Sequence, residues 1–498
     1  MSGSLARVAL RGGAFTALAQ VGKIGVTMGS VVVLARLLGP TDFGLVAAIA
    51  PIVAFMGLFQ NLGLQQAIVQ RKEIDRALLN QAFWVSGAVG LLATAIVIAL
   101  APTAAAFYGD ARIAGLMRLV SVSLLLGSLC TVPMALLARR LRFAVLALYE
   151  FLVALTAFVA AAAGALAGLG PYALVTSTIV AAGLGLALVW GMAPFRPGAP
   201  PRRVDGALMK FGANLTGFNL VNFFARNADN VLIGRYVGLT ALGLYDRAYK
   251  LMLFPVQNIN YPLTRMMVPL LSRIQDDKAR LRAVFCQVNW ALALAIMPGI
   301  ATLAMCAEET IGVLFGPEWA GVAPIFAWLA VASFMQPVTN NNGWIFISQG
   351  RTDVMFRLGV CTSLVTVAAF AIGLPWGAEG VAASYAVSAY VLRLPLLLVV
   401  LDRVGPVRGM DLGAMVLVPG AAALASALAL PFLVDLAGSR SDLVTLIVAG
   451  VLNYALALAA VLLVPSARRT LVALVQRLRL SLAGGTPGTP GVSTLADA

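Results

Sequence analysis

No histidine occurs anywhere in the 498 residues. That absence removes imidazole metal sites, imidazole general bases and serine–histidine–aspartate triads together. Charge is scarce as well. Asp, Glu, Lys and Arg make up 11% of the chain, against roughly 25% in soluble domains. The four cysteines, Cys130, Cys286, Cys306 and Cys361, form no CxxC pair and fall in or at the edge of apolar runs. They are expected to be small apolar side chains there. No G-x-x-x-x-G-K-[ST] motif is present, so the sequence carries no P-loop of its own. The opening MSGSLARVALRGG shows no small-residue cleavage site and leads into a stretch too long for a signal-peptide core, so the first helix is expected to be retained.

What the chain has in excess is apolar surface. Hydrophobic residues make up 61% of it, and the mean hydropathy is +0.93. A water-facing exterior cannot absorb that much, whereas a bilayer can. A spanning helix takes about 20 apolar residues, and about fourteen such runs can be marked. They lie near 11–38, 42–69, 81–105, 113–137, 144–168, 171–193, 208–236, 242–270, 284–306, 320–348, 354–375, 379–401, 412–434 and 443–465. The runs are long and continuous rather than alternating, which predicts helices and not a barrel. The expected fold class is therefore an all-α polytopic membrane protein with about fourteen transmembrane helices.

The net charge of +15 is distributed by loop. Alternate loops and both ends hold about 24 of the 35 basic residues, among them Arg71, Lys72, Arg76, Arg139, Arg140, Arg196, Arg202 and Arg203. The opposite loops hold about five, and the remaining six lie within the spans. The positive-inside rule then predicts both termini in the cytoplasm, and it accounts for the basic balance without nucleic acid as a partner. The opposite loops, such as 39–44 and 374–380, are too short to fold as a catalytic domain. The stretch after Arg479 is rich in Gly, Pro, Ser and Thr and reads as disordered.

An internal repeat organises the rest. RLLGPTDFGL at 36–45 and RYVGLTALGL at 235–244 share Arg, Gly, Thr, Gly and Leu at an offset of 199. The offset equals six spans with their loops, an even number, so the two copies share one orientation and a pseudo-twofold axis along the membrane normal. The expected organisation is an N-lobe over 1–206, a C-lobe over 207–402, two further spans over 403–466, and a cytoplasmic tail over 467–498 whose distal part is disordered. The linker FRPGAPPRRVDG at 195–206 is expected to be cytoplasmic and flexible.

Polar residues fall in stripes inside the spans. Span 1 carries Gln20, Lys23 and Thr27 on one helical face, and span 7 carries Asn219, Asn222, Arg226, Asp229 and Asn230. The offset maps Gln20 onto Asn219 and Lys23 onto Asn222. Span 8 adds Arg247, Lys250, Asn258 and Arg265. Asn61 lies in span 2, and Asn340 lies in span 10. Glu150 and Arg393 sit nearer span ends. A charge at the bilayer centre costs about 2.5–3.5 kcal/mol on insertion scales, so such residues face a cavity or a partner. Lys23, Arg226, Arg247 and Lys250 are the candidate cationic cavity. Gln20, Thr27, Asn61, Asn219, Asn222, Asp229, Asn230, Asn258 and Asn340 are its candidate polar lining. The excess of positive charge suits an anion, and the arginine fork suits phosphate. Two structural readings stand beside this one: Arg226 and Asp229 as an i,i+3 staple, and Arg247, Lys250 and Arg265 as snorkelling side chains.

The stretch LARLLGPTDFGLVAAIAPIVAFMGLFQNLGLQQAIVQRKEI at 34–74 resembles the opening of Wzx-type polysaccharide transporters. Residues 226–277, GPEWAGVAPIFAWLA at 316–330 and ISQGRTD at 347–353 fit the same family. That family belongs to the multidrug/oligosaccharidyl-lipid/polysaccharide superfamily, with a MATE-like fold. The resemblance implies two six-helix lobes around a cleft, plus two C-terminal helices. It also implies alternating-access translocation of a polyprenyl-diphosphate-linked oligosaccharide across the bacterial inner membrane, for O-antigen, capsule or exopolysaccharide synthesis. It implies no enzymatic activity and no cofactor; its partners are the lipid-linked oligosaccharide, the bilayer, and polymerase and export machinery. Two alternatives stand beside it. A cation-coupled multidrug exporter of the same fold needs buried acids, for which Asp229 and Glu150 are the candidates. A membrane glycosyltransferase or polymerase needs a catalytic acid or base on a substantial loop, which the short loops do not offer.

Overall fold

The computed structural model describes residues 2–61, 64–70, 74–140, 142–193, 195–200, 223, 227–437, 442–465, 467–472 and 476. Among the described residues every regular element is a helix. The chain divides into two compact units, Met1–Asp246 and Arg247–Ala498. The lobe boundary expected at 206–207 falls outside the described residues.

In the first unit the helices are α1 (Ser2–Leu37), α2 (Pro40–Asn61), α3 (Leu64–Gln70), α4 (Arg76–Tyr108), α5 (Arg112–Arg139), α6 (Phe143–Leu166) and α7 (Pro171–Met192). Residues 227–236 are also helical. Local chemistry sets the ends. Asp75 caps α4 by accepting from the Leu78 amide at 2.8 Å, and Gly109 ends it in the left-handed region at φ +75°, where a Cβ is penalised. Proline at N1 opens α7, where its missing N–H costs nothing. α4 packs along α5, α6 along α7, and α1 along α6. Phe83, Ile68, Val132 and Phe195 form one apolar core at the end where α4 begins. Asp110 clips the turn before α5: the Arg112 guanidinium donates to it at 2.8 Å and holds its carboxyl below the usual range.

α8 (Leu239–Pro255) crosses from the first unit into the second. The second unit continues with a π-helical turn at Val256–Asn260, α9 (Tyr261–Arg273), α10 (Lys278–Met305), α11 (Ala307–Leu314), α12 (Val322–Ser333), α13 (Gln336–Thr339) and α14 (Asn342–Ser348). It ends with α15 (Thr352–Gly373), α16 (Gly377–Ser388), α17 (Leu394–Val404), α18 (Gly409–Ala437) and α19 (Asp442–Leu463). α10 is the spine, packed by α12, α18 and α19. Polar clamps fix α18 and α19 to it. Asn453 on α19 donates to the Pro298 carbonyl at 3.0 Å and the Thr302 hydroxyl at 2.8 Å, and it accepts from Ser426 on α18. Arg282 grips Asp411 with both arms of its guanidinium, the Nε contact at 2.8 Å. The last two spans are therefore bonded within the second unit, α19 through the buried Asn453 and α18 through Asp411.

Among the described residues, ten helices are long and apolar enough to cross a membrane, or eleven if the bent pair Val322–Ser333 and Gln336–Ser348 is one span. The protein is a multi-pass membrane protein. The count differs from fourteen for identifiable reasons. The 53-residue stretch Thr352–Val404 counts as one helix although it is interrupted by a 3-10 turn at Leu374–Trp376 and holds two of the expected spans. The span expected at 208–236 lies largely outside the described residues. The helical stretch from Leu239 to Arg273 carries Asp246, Arg247, Lys250 and Arg265, and it is not among the apolar ten.

A candidate cationic cavity and a helix-start contact

Lys23 sits in the middle of α1, 21 residues after its first residue and 14 before its last. Its ammonium lies 2.7 Å from the Glu150 carboxylate on α6, with the two side chains 34% and 47% exposed. The sequence pattern placed Lys23 in a cavity and left Glu150 as a marginal residue near a span end. The structure makes the two a pair, because α1 and α6 pack along one another. The glycine at 22 assists: a Cβ there would stand 3.1 Å from the Phe151 ring. Thr27 returns its hydroxyl to the Lys23 carbonyl at 2.8 Å, and Gln20 is exposed on the same helix.

Asp229 is buried in the first unit at 2% exposure. It accepts from the Tyr245 hydroxyl at 3.0 Å and from the Asn230 amide at 2.8 Å. Asn230 is half-buried. Arg226, Asn219 and Asn222 lie outside the described residues, as does the side chain of Asn61, so the expected Arg226–Asp229 staple lies outside them too. Tyr245, fully buried, was missed. Its phenol lies one position before Asp246 in the repeat-bearing segment, and nothing in the pattern of charges marks a neutral donor.

On α8, Arg247 is buried and Lys250 exposed. Asn258 lies in the π-helical turn and donates to the Phe254 carbonyl at 2.9 Å. Asn340 is exposed, and its amide contacts Gln336 at 3.5 Å. Arg393 stacks over the Tyr385 ring at 4.1 Å and donates to the Tyr385 carbonyl at 2.7 Å, which holds the π-helical turn Ala389–Arg393.

The two copies of the repeated motif meet in the first unit. The Thr41 and Thr240 hydroxyls, equivalent under the offset of 199, are 2.9 Å apart. A Cβ built at Gly44 would overlap the Leu239 carbonyl oxygen, and one built at Gly243 would overlap that of Pro40. Pro40 and Leu239 are also equivalent under the offset, as are Gly44 and Gly243. Each contact is thus the image of the other, as in an isologous interface. The starts of α2 and α8 approach backbone to backbone because neither glycine has a side chain.

Comparison with known proteins supplies the wider frame. Lipopolysaccharide biosynthesis protein WzxC of Escherichia coli (strain K12) is 25% identical over 377 residues, 74% of this chain and 76% of its own. The lipid II flippase MurJ in an inward closed conformation matches with a TM-score of 0.72 at 12% identity, covering 90% of this chain and 98% of MurJ. An inward-facing MATE family multidrug transporter of the MOP superfamily matches with a TM-score of 0.61 at 14% identity, covering 79% and 95%. At such identities the structural likeness shows the fold alone, which is of the MurJ and MATE type. The profile of the polysaccharide biosynthesis protein family matches residues 33–324, more than half of the chain, and the chain belongs to that family.

Proposed function

We propose that this protein is a flippase that moves a polyprenyl-diphosphate-linked oligosaccharide across the bacterial inner membrane by alternating access. The substrate class follows from the family, from the relative named for lipopolysaccharide biosynthesis, and from the fold shared with a lipid II flippase. The architecture we infer is fourteen spans, in two six-helix lobes related by the 199-residue repeat with two C-terminal helices appended. Both termini are cytoplasmic. Transport, not bond-making, is the activity, and polymerase and export machinery are the partners expected downstream.

One observation carries the reading. Lys23 lies mid-span on α1 and Glu150 lies seven residues into α6, and both are substantially exposed. An ion pair turned to lipid at that depth would bear the insertion cost of two charges. A water-filled cavity removes that cost, and a half-open pair there is available to a second anion. Lys23, with Arg226, Arg247 and Lys250, is the cationic surface we assign to the diphosphate. Gln20 and Thr27 belong to the polar lining we assign, with Asn61, Asn219, Asn222, Asn230, Asn258 and Asn340, whereas Asp229, 2% exposed and accepting from Tyr245 and Asn230, is held in the interior instead of lining the cavity. Complementation of a flippase-deficient strain tests the assignment. Lys23→Gln and Arg226→Gln should abolish polymer export at normal membrane levels, and Arg226→Lys should retain part of it, because a point charge still meets phosphate. Normal export by both Gln variants would sink the electrostatic site.

A further inference from the structure

A second basic site lies away from that pair. Where α4 begins and α7 ends, a cavity of about 500 Å³ is lined by Arg76, Trp190, Gly191, Ala193, Phe195 and Arg196. Its aromatic wall is fixed. Phe83 contacts Trp190 and Phe195 at centroid distances of 5.7 and 5.8 Å, and the Trp190 indole donates to the Leu129 carbonyl at 3.2 Å. The stretch carrying Arg196, expected to be a flexible linker, is pinned to α4 over 195–200. Asn80 accepts from the Gly198 amide at 2.5 Å and donates to the Ala199 carbonyl at 3.1 Å, and the Trp84 indole donates to the Gly198 carbonyl at 3.0 Å.

Both guanidiniums are exposed. Neither has a carboxylate, carbonyl or ring partner among the described residues. The neighbouring Arg139 differs, since it donates to the Ile68 carbonyl at 3.1 Å. Charges that only set topology need no preformed aromatic cavity. Two planar forks without a counter-ion suit the oxygens of a phosphate, which each can bind bidentately. Trp84 and Trp190 stand near the ends of α4 and α7, where tryptophans mark headgroup depth in a bilayer. A free phosphate would leave the aromatic wall idle, whereas a glycerophosphate would cover it with its backbone and first methylenes.

We propose that this cavity binds the phosphate of an anionic glycerophospholipid from the adjacent leaflet, with Arg76 and Arg196 on the headgroup and Trp190 and Phe195 beside its glycerol. The inference requires only that the chain spans a membrane, and it stands whether or not the flippase reading does.

The test is thermal unfolding of the full-length protein in neutral detergent, titrated with phosphatidylglycerol, phosphatidylcholine or inorganic phosphate. Phosphatidylglycerol should raise the melting temperature saturably, and the other two should not. The Arg76→Gln/Arg196→Gln variant should melt near the wild type without lipid and lose the response. If that variant inserts poorly, Arg76→Lys/Arg196→Lys keeps the loop charge, and its half-saturating concentration should rise about tenfold, the equivalent of one charge-assisted contact. An equal response to phosphatidylcholine, or an undiminished response in the double variants, overturns the site. Saturation by inorganic phosphate alone overturns the lipid assignment.

Discussion

Single side chains separate holding from binding. In the proposed wet cavity Glu150 would stand in for the substrate's anion, and a pair 34% and 47% exposed there would contribute little to stability, within about 1 kcal/mol. Glu150→Gln should therefore leave the melting temperature nearly unchanged. If Lys23 meets the diphosphate, the same change frees its ammonium and should tighten substrate binding, measurable as lipid-linked oligosaccharide retained by purified protein. Weaker retention would mean that Glu150 orients Lys23 instead of competing for it. Asp229 makes the opposite case. Its carboxylate is enclosed and accepts from Tyr245 and Asn230. Asp229→Ala removes the carboxylate that accepts from the Tyr245 hydroxyl and the Asn230 amide, which should destabilise by about 1–3 kcal/mol. Melting in detergent reads this directly, and an unchanged melting temperature would show that water replaces the carboxylate.

At the scale of the element, glycine decides how closely helices meet. Gly44 and Gly243 lie in the first turns of α2 and α8, each against the other helix's first carbonyl. Alanine at either position forces the two helix starts apart. Because the contacts are images under the repeat, Gly44→Ala and Gly243→Ala should impair transport and stability to a similar degree. A large effect at one and none at the other would break the equivalence. This part of the structure was legible in advance: two ten-residue strings sharing Arg, Gly, Thr, Gly and Leu marked both glycines and both threonines. Lys23 itself was marked by helical spacing with Gln20 and Thr27. Its partner was not, since Glu150 is a lone acid on an apolar helix and only the packing of α6 on α1 reveals it. The bonds from Asn80 and Trp84 that pin 195–200 were hidden too. Proline and glycine content reports backbone propensity and not which side chains wait on the neighbouring helix. Nor did composition show that Asn453 reaches the Pro298 carbonyl and Thr302.

For the whole molecule, apolar runs gave the membrane class, and loop charge predicts an orientation. Reporter fusions at Ala498 and within 371–380 should report opposite sides, and readings on the same side would overturn the inside assignment of the termini. The proposed alternating-access cycle gives the contact between the repeated motifs a candidate role. Alternating access requires one end of the cleft to close while the other opens, and a closed end must part cheaply. The Thr41–Thr240 contact fits such a closure. It is one neutral hydrogen bond at 2.9 Å, worth about 0.5–1.5 kcal/mol, and Thr240 is exposed. No ion pair links the two motif copies among the described residues. The two hydroxyl oxygens, 2.9 Å apart, stand where the sulfurs of a cysteine pair would stand, so a disulfide tests whether the contact must open. In a Thr41→Cys/Thr240→Cys variant lacking the exposed Cys361, oxidation should form the bridge and stop polymer export, and reduction should restore it. A bridged protein that exports normally would make this contact a fixed pivot, and the opening would then have to occur elsewhere along α2 and α8.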